Sequence, residues 1–103
     1  KPIEDVAARV GELSPLTTVR CAYLELTEPD LLSCATELAA LQLQSVTIVP
    51  MFLGVGRHVR EDLPSLMAQL VAAHPQIQFR LLPSVGEDQR LVALLAEIAL
   101  TQP

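Results

Sequence analysis

One of the two histidines in this 103-residue chain, His58, stands inside a dense run of charge: Arg57, His58, Arg60, Glu61 and Asp62. The run follows an apolar stretch, Val46 to Leu53, interrupted only by Thr47 and Pro50, and a glycine turn, Gly54-Val55-Gly56. A buried strand that passes through a glycine loop into a helix start is where open α/β proteins bind their ligands. Glu25 and Glu28 end a second apolar stretch, and Glu87 follows a third. If the three stretches are parallel strands, their C-terminal ends bring Glu25, Glu28, Arg57, His58, Arg60 and Glu87 to one sheet edge. A neutral imidazole with one or two carboxylates suits a divalent first-row metal such as cobalt, iron, nickel or zinc. It equally suits acid–base work near neutral pH.

Each of these residues also has a plainer use. A carboxylate ending an apolar strand, as Glu25 does, is costly unless it is paired or used, and a salt bridge to an arginine satisfies it as well as chemistry would. A loop histidine such as His58 is often solvated or bonded to backbone. Glu28, beside Pro29, reads as a solvated charge at a helix start. Glu87 and Asp88 read as first-turn partners of a helix dipole, and His74 before Pro75 as a helix C-terminal residue. Gly54-Val55-Gly56 resembles part of a phosphate loop but lacks the spacing of a dinucleotide fingerprint. A tight turn needing positive φ explains it too.

The elements that must position these residues follow from periodicity. Lys1 to about Leu13 reads as an amphipathic helix with Ile3, Val6, Ala7 and Val10 on one face. Val19 to Glu25 reads as a buried strand. Thr27 is a candidate N-cap for a helix from Leu31 to about Leu43. After the central strand and its loop, a helix is expected from about Glu61 to Ala73, with Pro64 near its start, Glu61 and Asp62 in its first turn, and an apolar stripe of Leu63, Leu66, Met67, Leu70 and Val71. Ile77 to Leu82 alternates like a half-exposed edge strand. A last helix is expected from about Asp88 to Leu100, with Leu91, Leu94, Leu95 and Ile98 on one face. Strands alternating with helices imply parallel pairing and right-handed crossovers. The fold class is therefore α/β, a small flavodoxin-like parallel sheet with helices on both faces, in one domain over residues 1–103. In such a sheet the first strand is central. None precedes the first helix here, so an N-terminal strand is expected ahead of Lys1.

Composition narrows the function. A net charge of −5 argues against nucleic-acid binding. No apolar run is long enough to span a membrane, and no signal-peptide pattern opens the sequence. Cys21 and Cys34 have no metal-site spacing and read as buried thiols in a reducing cytoplasm.

Three blocks together resemble a known family. VTIVPMFLGVGRHVREDLPSL resembles the P-x-F-x-x-x-G-x-H-x-x-x-D-x-P block of the small sirohydrochlorin chelatases, the class II chelatases of the cobalamin and siroheme pathways, through Pro50, Phe52, Gly56, His58, Asp62 and Pro64. AYLELTEPDL resembles that family's A-F-L-E-x-x-x-P-x-L through Ala22, Leu24, Glu25, Pro29 and Leu31, with Tyr23 in place of Phe. LLPSVGEDQRLVALL resembles its closing P-x-G-x-x-x-x-L pattern through Pro83, Gly86 and Leu91, with one further residue between the proline and the glycine. The resemblance implies insertion of Co²⁺ or Fe²⁺, with Ni²⁺ a further candidate, into a tetrapyrrole. The metal is then a substrate, and no organic cofactor is implied. His58 would bind metal and act as general base, and Glu25 would be its acidic partner at the metal or the macrocycle. Gly56, Arg57 and Arg60 would meet the substrate, the arginines through its carboxylates. A homodimer is implied as well. The family's opening strand ends in a His-Gly-Ser motif, and this sequence begins at the helix that should follow it.

Two other functions compete. One is a non-catalytic metal or tetrapyrrole-binding module, either a degenerate chelatase or a carrier, which the missing histidine motif favours. The other is a flavodoxin-like domain holding phosphate at Gly54 to Gly56.

Overall fold

The computed structural model describes residues 2–24, 27–54 and 56–102. The chain divides into two compact units, Lys1–Leu43 and Gln44–Pro103. Among the described residues the class is α/β, with a parallel pair of strands and four α-helices.

In the first unit, helix α1 spans Pro2–Leu13 and carries Glu4 and Asp5 in its first turn, where they complement the dipole. Helix α2 spans Leu31–Ala40. Its N-cap is Asp30, whose carboxylate accepts the Ser33 N–H at 2.8 Å, so the cap falls three residues beyond Thr27. The helix ends at Ala40, and Gln42 then takes a left-handed conformation with φ 60°. The Cys34 thiol donates to the Cys21 carbonyl at 3.5 Å, and the Cys21 thiol donates to the Ile3 carbonyl at 3.6 Å. Arg20 reaches Glu37 at 2.7 Å. The segment around Cys21 is thereby fastened to both helices of its unit. The strand expected over Val19 to Glu25 is not formed as a ladder. Its described part makes one parallel bridge, Tyr23 with Asp30, through the Tyr23 N–H to the Pro29 carbonyl at 2.9 Å. A strand exists only with a hydrogen-bonded neighbour, and among the described residues this segment has none beyond that bridge.

In the second unit, strands β1 (Ser45–Ile48) and β2 (Gln78–Leu81) pair in parallel with Ser45 opposite Gln78 and Ile48 opposite Leu81. Helix α3 (Arg57–Ala73) makes the crossover and packs on β2. Leu70 from the expected stripe is fully buried, beside Ile77 at 5% exposure, and His74 ends the helix with its N–H on the Leu70 carbonyl. A short 3₁₀ turn, Val85–Glu87, leads into helix α4, Gln89–Ala99. Leu91 is half-buried, whereas Leu94, Leu95 and Ile98 on the same stripe are exposed.

Beyond the last ladder residues the two chains stay joined. Leu82 N–H donates to the Ile48 carbonyl at 3.0 Å, Val85 N–H to Pro50 at 3.0 Å, and Gly86 N–H to Phe52 at 2.9 Å. The buried Ser84 hydroxyl also donates to the Phe52 carbonyl. These bonds clasp the loop after β1 to the loop after β2. Gly86 makes the close approach possible, because a Cβ there would stand 2.0 Å from the Leu53 carbonyl oxygen.

Gly86→Ala should therefore cost about 1–3 kcal/mol. Urea denaturation reads this as a lower midpoint at unchanged slope. Gly54→Ala, where a Cβ would meet nothing within 4 Å, should be near neutral. Equal midpoints for the two variants would mean that the clasp is not tight at Gly86.

Asp88 caps α4 by accepting the Arg90 N–H at 2.8 Å, and its carboxylate also pairs with the Arg90 guanidinium at 2.6 Å. The guanidinium bond, and after it the backbone N–H, lower its pKa from 3.8 to about 2. A carboxyl depressed by folding contributes stability that is present above its unfolded value and lost as pH falls through its folded one. Between pH 3.8 and about 2 the protein should lose melting temperature. Asp88→Asn, which keeps a capping oxygen but not the charge, should show a smaller loss across that window.

Candidate functional site

A cleft of about 670 Å³ lies beside the clasp. The loop after β1 supplies Pro50, Phe52, Leu53 and Gly54, and the end of β2 with its loop supplies Leu81, Leu82, Pro83, Ser84 and Glu87. Helix α3 closes it with Arg60, Leu63 and Pro64. The lining is mainly apolar, with Arg60 and Glu87 as its ionisable groups, the composition expected of a pocket for a largely apolar ligand with a few polar handles.

Helix α3 begins at Arg57, four residues before the expected start at Glu61. Gly56 is its N-cap in extended conformation, φ −66° and ψ 159°, and makes no side-chain cap bond. The Gly56 carbonyl receives the Arg60 N–H at 3.1 Å. Arg57, His58 and Arg60 thus belong to the opening turn of a helix and not to a loop. Glu61 and Asp62 fall after that turn, which contains no acid. Pro64 is interior to the helix. Lacking an N–H, it leaves the Arg60 carbonyl without its intrahelical donor. The early start is allowed because nothing from Arg57 to Leu63 breaks a helix, whereas a start near Pro64 assumed its first-turn preference. None of the described glycines has positive φ, so the positive-φ tight turn offered as one explanation of Gly54-Val55-Gly56 is not seen at Gly54 or Gly56.

Cations at a helix N-terminus oppose the macrodipole, at a cost of about 0.3–1 kcal/mol each in exposed positions. Arg57 is offset by Glu61, one turn on, at 3.1 Å. That pair is exposed and contributes little to stability. Arg60 makes no ion pair among the described residues. The two arginines, equivalent in the sequence, are therefore not equivalent in the fold.

The structure brings Gly56, Arg57, His58 and Arg60 together at the start of α3, and it brings Arg60 and Glu87 to one cleft. Glu25 lies outside the described residues, and Glu28 is an exposed turn residue. Glu87 belongs to the 3₁₀ turn and not to α4, whereas Asp88 is the N-cap of α4, where its carboxylate meets the positive end of that helix's dipole. Among the described residues no group of three or more His, Cys, Asp or Glu side chains is placed to hold a metal. No helix among them is long and apolar enough to cross a membrane. Sequence reasoning missed Ser84, whose buried hydroxyl secures the clasp. The signal lay in LLPSVGE, where a serine between proline and glycine directly after a strand invites a hydroxyl-to-backbone bond.

Comparison with known proteins agrees with the three blocks. The CbiX family model matches residues 1–101. A sirohydrochlorin cobaltochelatase of Sulfurisphaera tokodaii is 22% identical over 99 residues, covering 94% of this chain and 79% of that one. Another, from Methanopyrus kandleri, is 29% identical over 65 residues; this match covers 63% of the chain and 46% of that enzyme, less than half its length. A solved structure, a candidate cobalamin (vitamin B12) biosynthesis CbiX protein from Marinobacter aquaeolei VT8, superposes with a TM-score of 0.75 at 26% identity, covering 94% of this chain and 79% of the other. The clasp, the cleft and the opening of α3 all lie within the span matched by the family model, and the chain belongs to the CbiX family.

Proposed function

We propose that the protein inserts Co²⁺ or Fe²⁺ into sirohydrochlorin, with Ni²⁺ as a further candidate, in the cytoplasm and as a homodimer. The observation that carries this reading is the position of His58 in the opening turn of α3, the helix that also walls an apolar cleft, within a chain of the CbiX family. Supporting it, two relatives are named sirohydrochlorin cobaltochelatases. In this reading residues 1–103 form one chelatase-like domain that includes both units.

Metallation exchanges two pyrrole N–H protons for one divalent ion. As a neutral imidazole, His58 holds the incoming ion with positions left open, and once the ion has passed to the macrocycle its freed nitrogen takes one of the two displaced pyrrole protons. Glu25 is the acidic partner that balances the ion's charge while it is held and then takes the second proton. Gly56 and Arg60 are the substrate-side residues, Arg57 being paired with Glu61 outside the cleft lining, and the apolar cleft walls receive the macrocycle edge.

The test mixes the full-length protein with sirohydrochlorin and Co²⁺ or Fe²⁺ and follows the absorption spectrum. His58→Ala should slow metallation by about 10² or more, the usual worth of a positioned base, and Glu25→Gln should slow it as well. Retained metallation in His58→Ala would remove the histidine from the mechanism. A spectral shift on binding, with no metallation above the uncatalysed rate, would favour the carrier reading.

A further inference from the structure

The two arginines at the start of α3 differ in what they can do. The Arg57 guanidinium is bound to Glu61 and its side chain is 88% exposed, away from the cleft lining. Arg60 lines the cleft and has no ion pair among the described residues. Leu63 and Pro64, one turn further along the same helix, give it an apolar wall. Glu87, from the 3₁₀ turn, supplies a negative charge to the same cleft. A guanidinium on an apolar wall is a receptor for a carboxylate that belongs to a largely apolar ligand.

We infer that Arg60, and not Arg57, receives a peripheral carboxylate of the substrate, and that Glu87 opposes acid groups elsewhere in the cleft and so restricts how the macrocycle can be turned. This rests on the chelatase reading, since sirohydrochlorin is a polycarboxylated ring. Arg60 is a substrate-binding and orienting residue here. It takes no proton and holds no metal.

The experiment titrates metal-free sirohydrochlorin, and a form whose carboxylates are converted to neutral amides, into the protein and follows absorption. Arg60→Gln should weaken sirohydrochlorin by about tenfold or more, the size of a lost charge-assisted hydrogen bond. Arg57→Gln should stay within about twofold, because its charge is already answered by Glu61 and screened by solvent. Glu87→Gln should tighten binding. The amidated ligand should bind the wild type and every variant alike. Arg60→Lys, which keeps the charge but not the fork, should fall between wild type and Arg60→Gln. Equal losses in Arg57→Gln and Arg60→Gln, no loss in Arg60→Gln, or an equal loss for the amidated ligand would each overturn the assignment. Failure of the wild-type protein to bind sirohydrochlorin would instead overturn the chelatase reading itself.

Discussion

The second unit depends on hydrogen bonds made after its strands have ended. A parallel pair of four-residue strands is too short to be stable by itself, and β1 and β2 are such a pair. The pairing is prolonged by successive carbonyls of the β1 chain, Ile48, Pro50 and Phe52, each taking an N–H from the loop after β2. Pro50 suits this role because it has no N–H to leave unpaired and still offers its carbonyl; it is also buried. Phe52 accepts twice, from Gly86 and from Ser84. The cleft is then a consequence, because its two loop walls are held at hydrogen-bond distance and only α3 is left to close it. This gives a physical meaning to the Pro-x-Phe and Pro-x-x-Gly spacings, which describe two halves of one clasp.

The geometry of α3 sorts residues that one-dimensional reading lumps together. Residues four apart share a helix face, so Arg57 pairs with Glu61 while Arg60 and Pro64 line one cleft. The first pairing answers a charge, and the second leaves one free beside an apolar ring. Pro64 also withholds its usual helical donor from the Arg60 carbonyl. A helix start rich in cations is poor design for stability alone. It is reasonable where anionic groups must be received.

How much of this was legible in the sequence follows from the range of the forces involved. Helices α1 and α4 were readable from apolar periodicity, and their bounds fall within a residue or two of expectation. The start of α3 was misplaced because Pro64 was given its commonest helical position, although the residues before it had good helical character. The expected strand over Val19 to Glu25 has the right composition, but strand formation is a property of a pair of segments and cannot be read from one. The cleft brings Phe52, Arg60 and Glu87 together through backbone bonds that no local pattern encodes. The charged cluster was visible as residue types, and His58 gained weight only when three separate blocks matched one family. The separation of Arg60 from Arg57 needs the helix to begin at Arg57, which sets Glu61 one turn from the first arginine and Pro64 one turn from the second.

The two cysteines show how a first-row metal ligand can be turned to a purely structural use, since it is the thiolate and not the thiol that binds metal. Cys34 is buried, and its thiol donates to the Cys21 carbonyl. Burial, with Glu37 adding to it, pushes that thiol's pKa up, so the thiolate needed for metal binding is disfavoured. The Cys21 thiol is in turn directed to the Ile3 carbonyl. Both sulfurs thus serve as weak donors that tie α1 and α2 to the segment around Cys21. The first unit uses its thiols as structural groups, each held by a backbone carbonyl of a neighbouring segment.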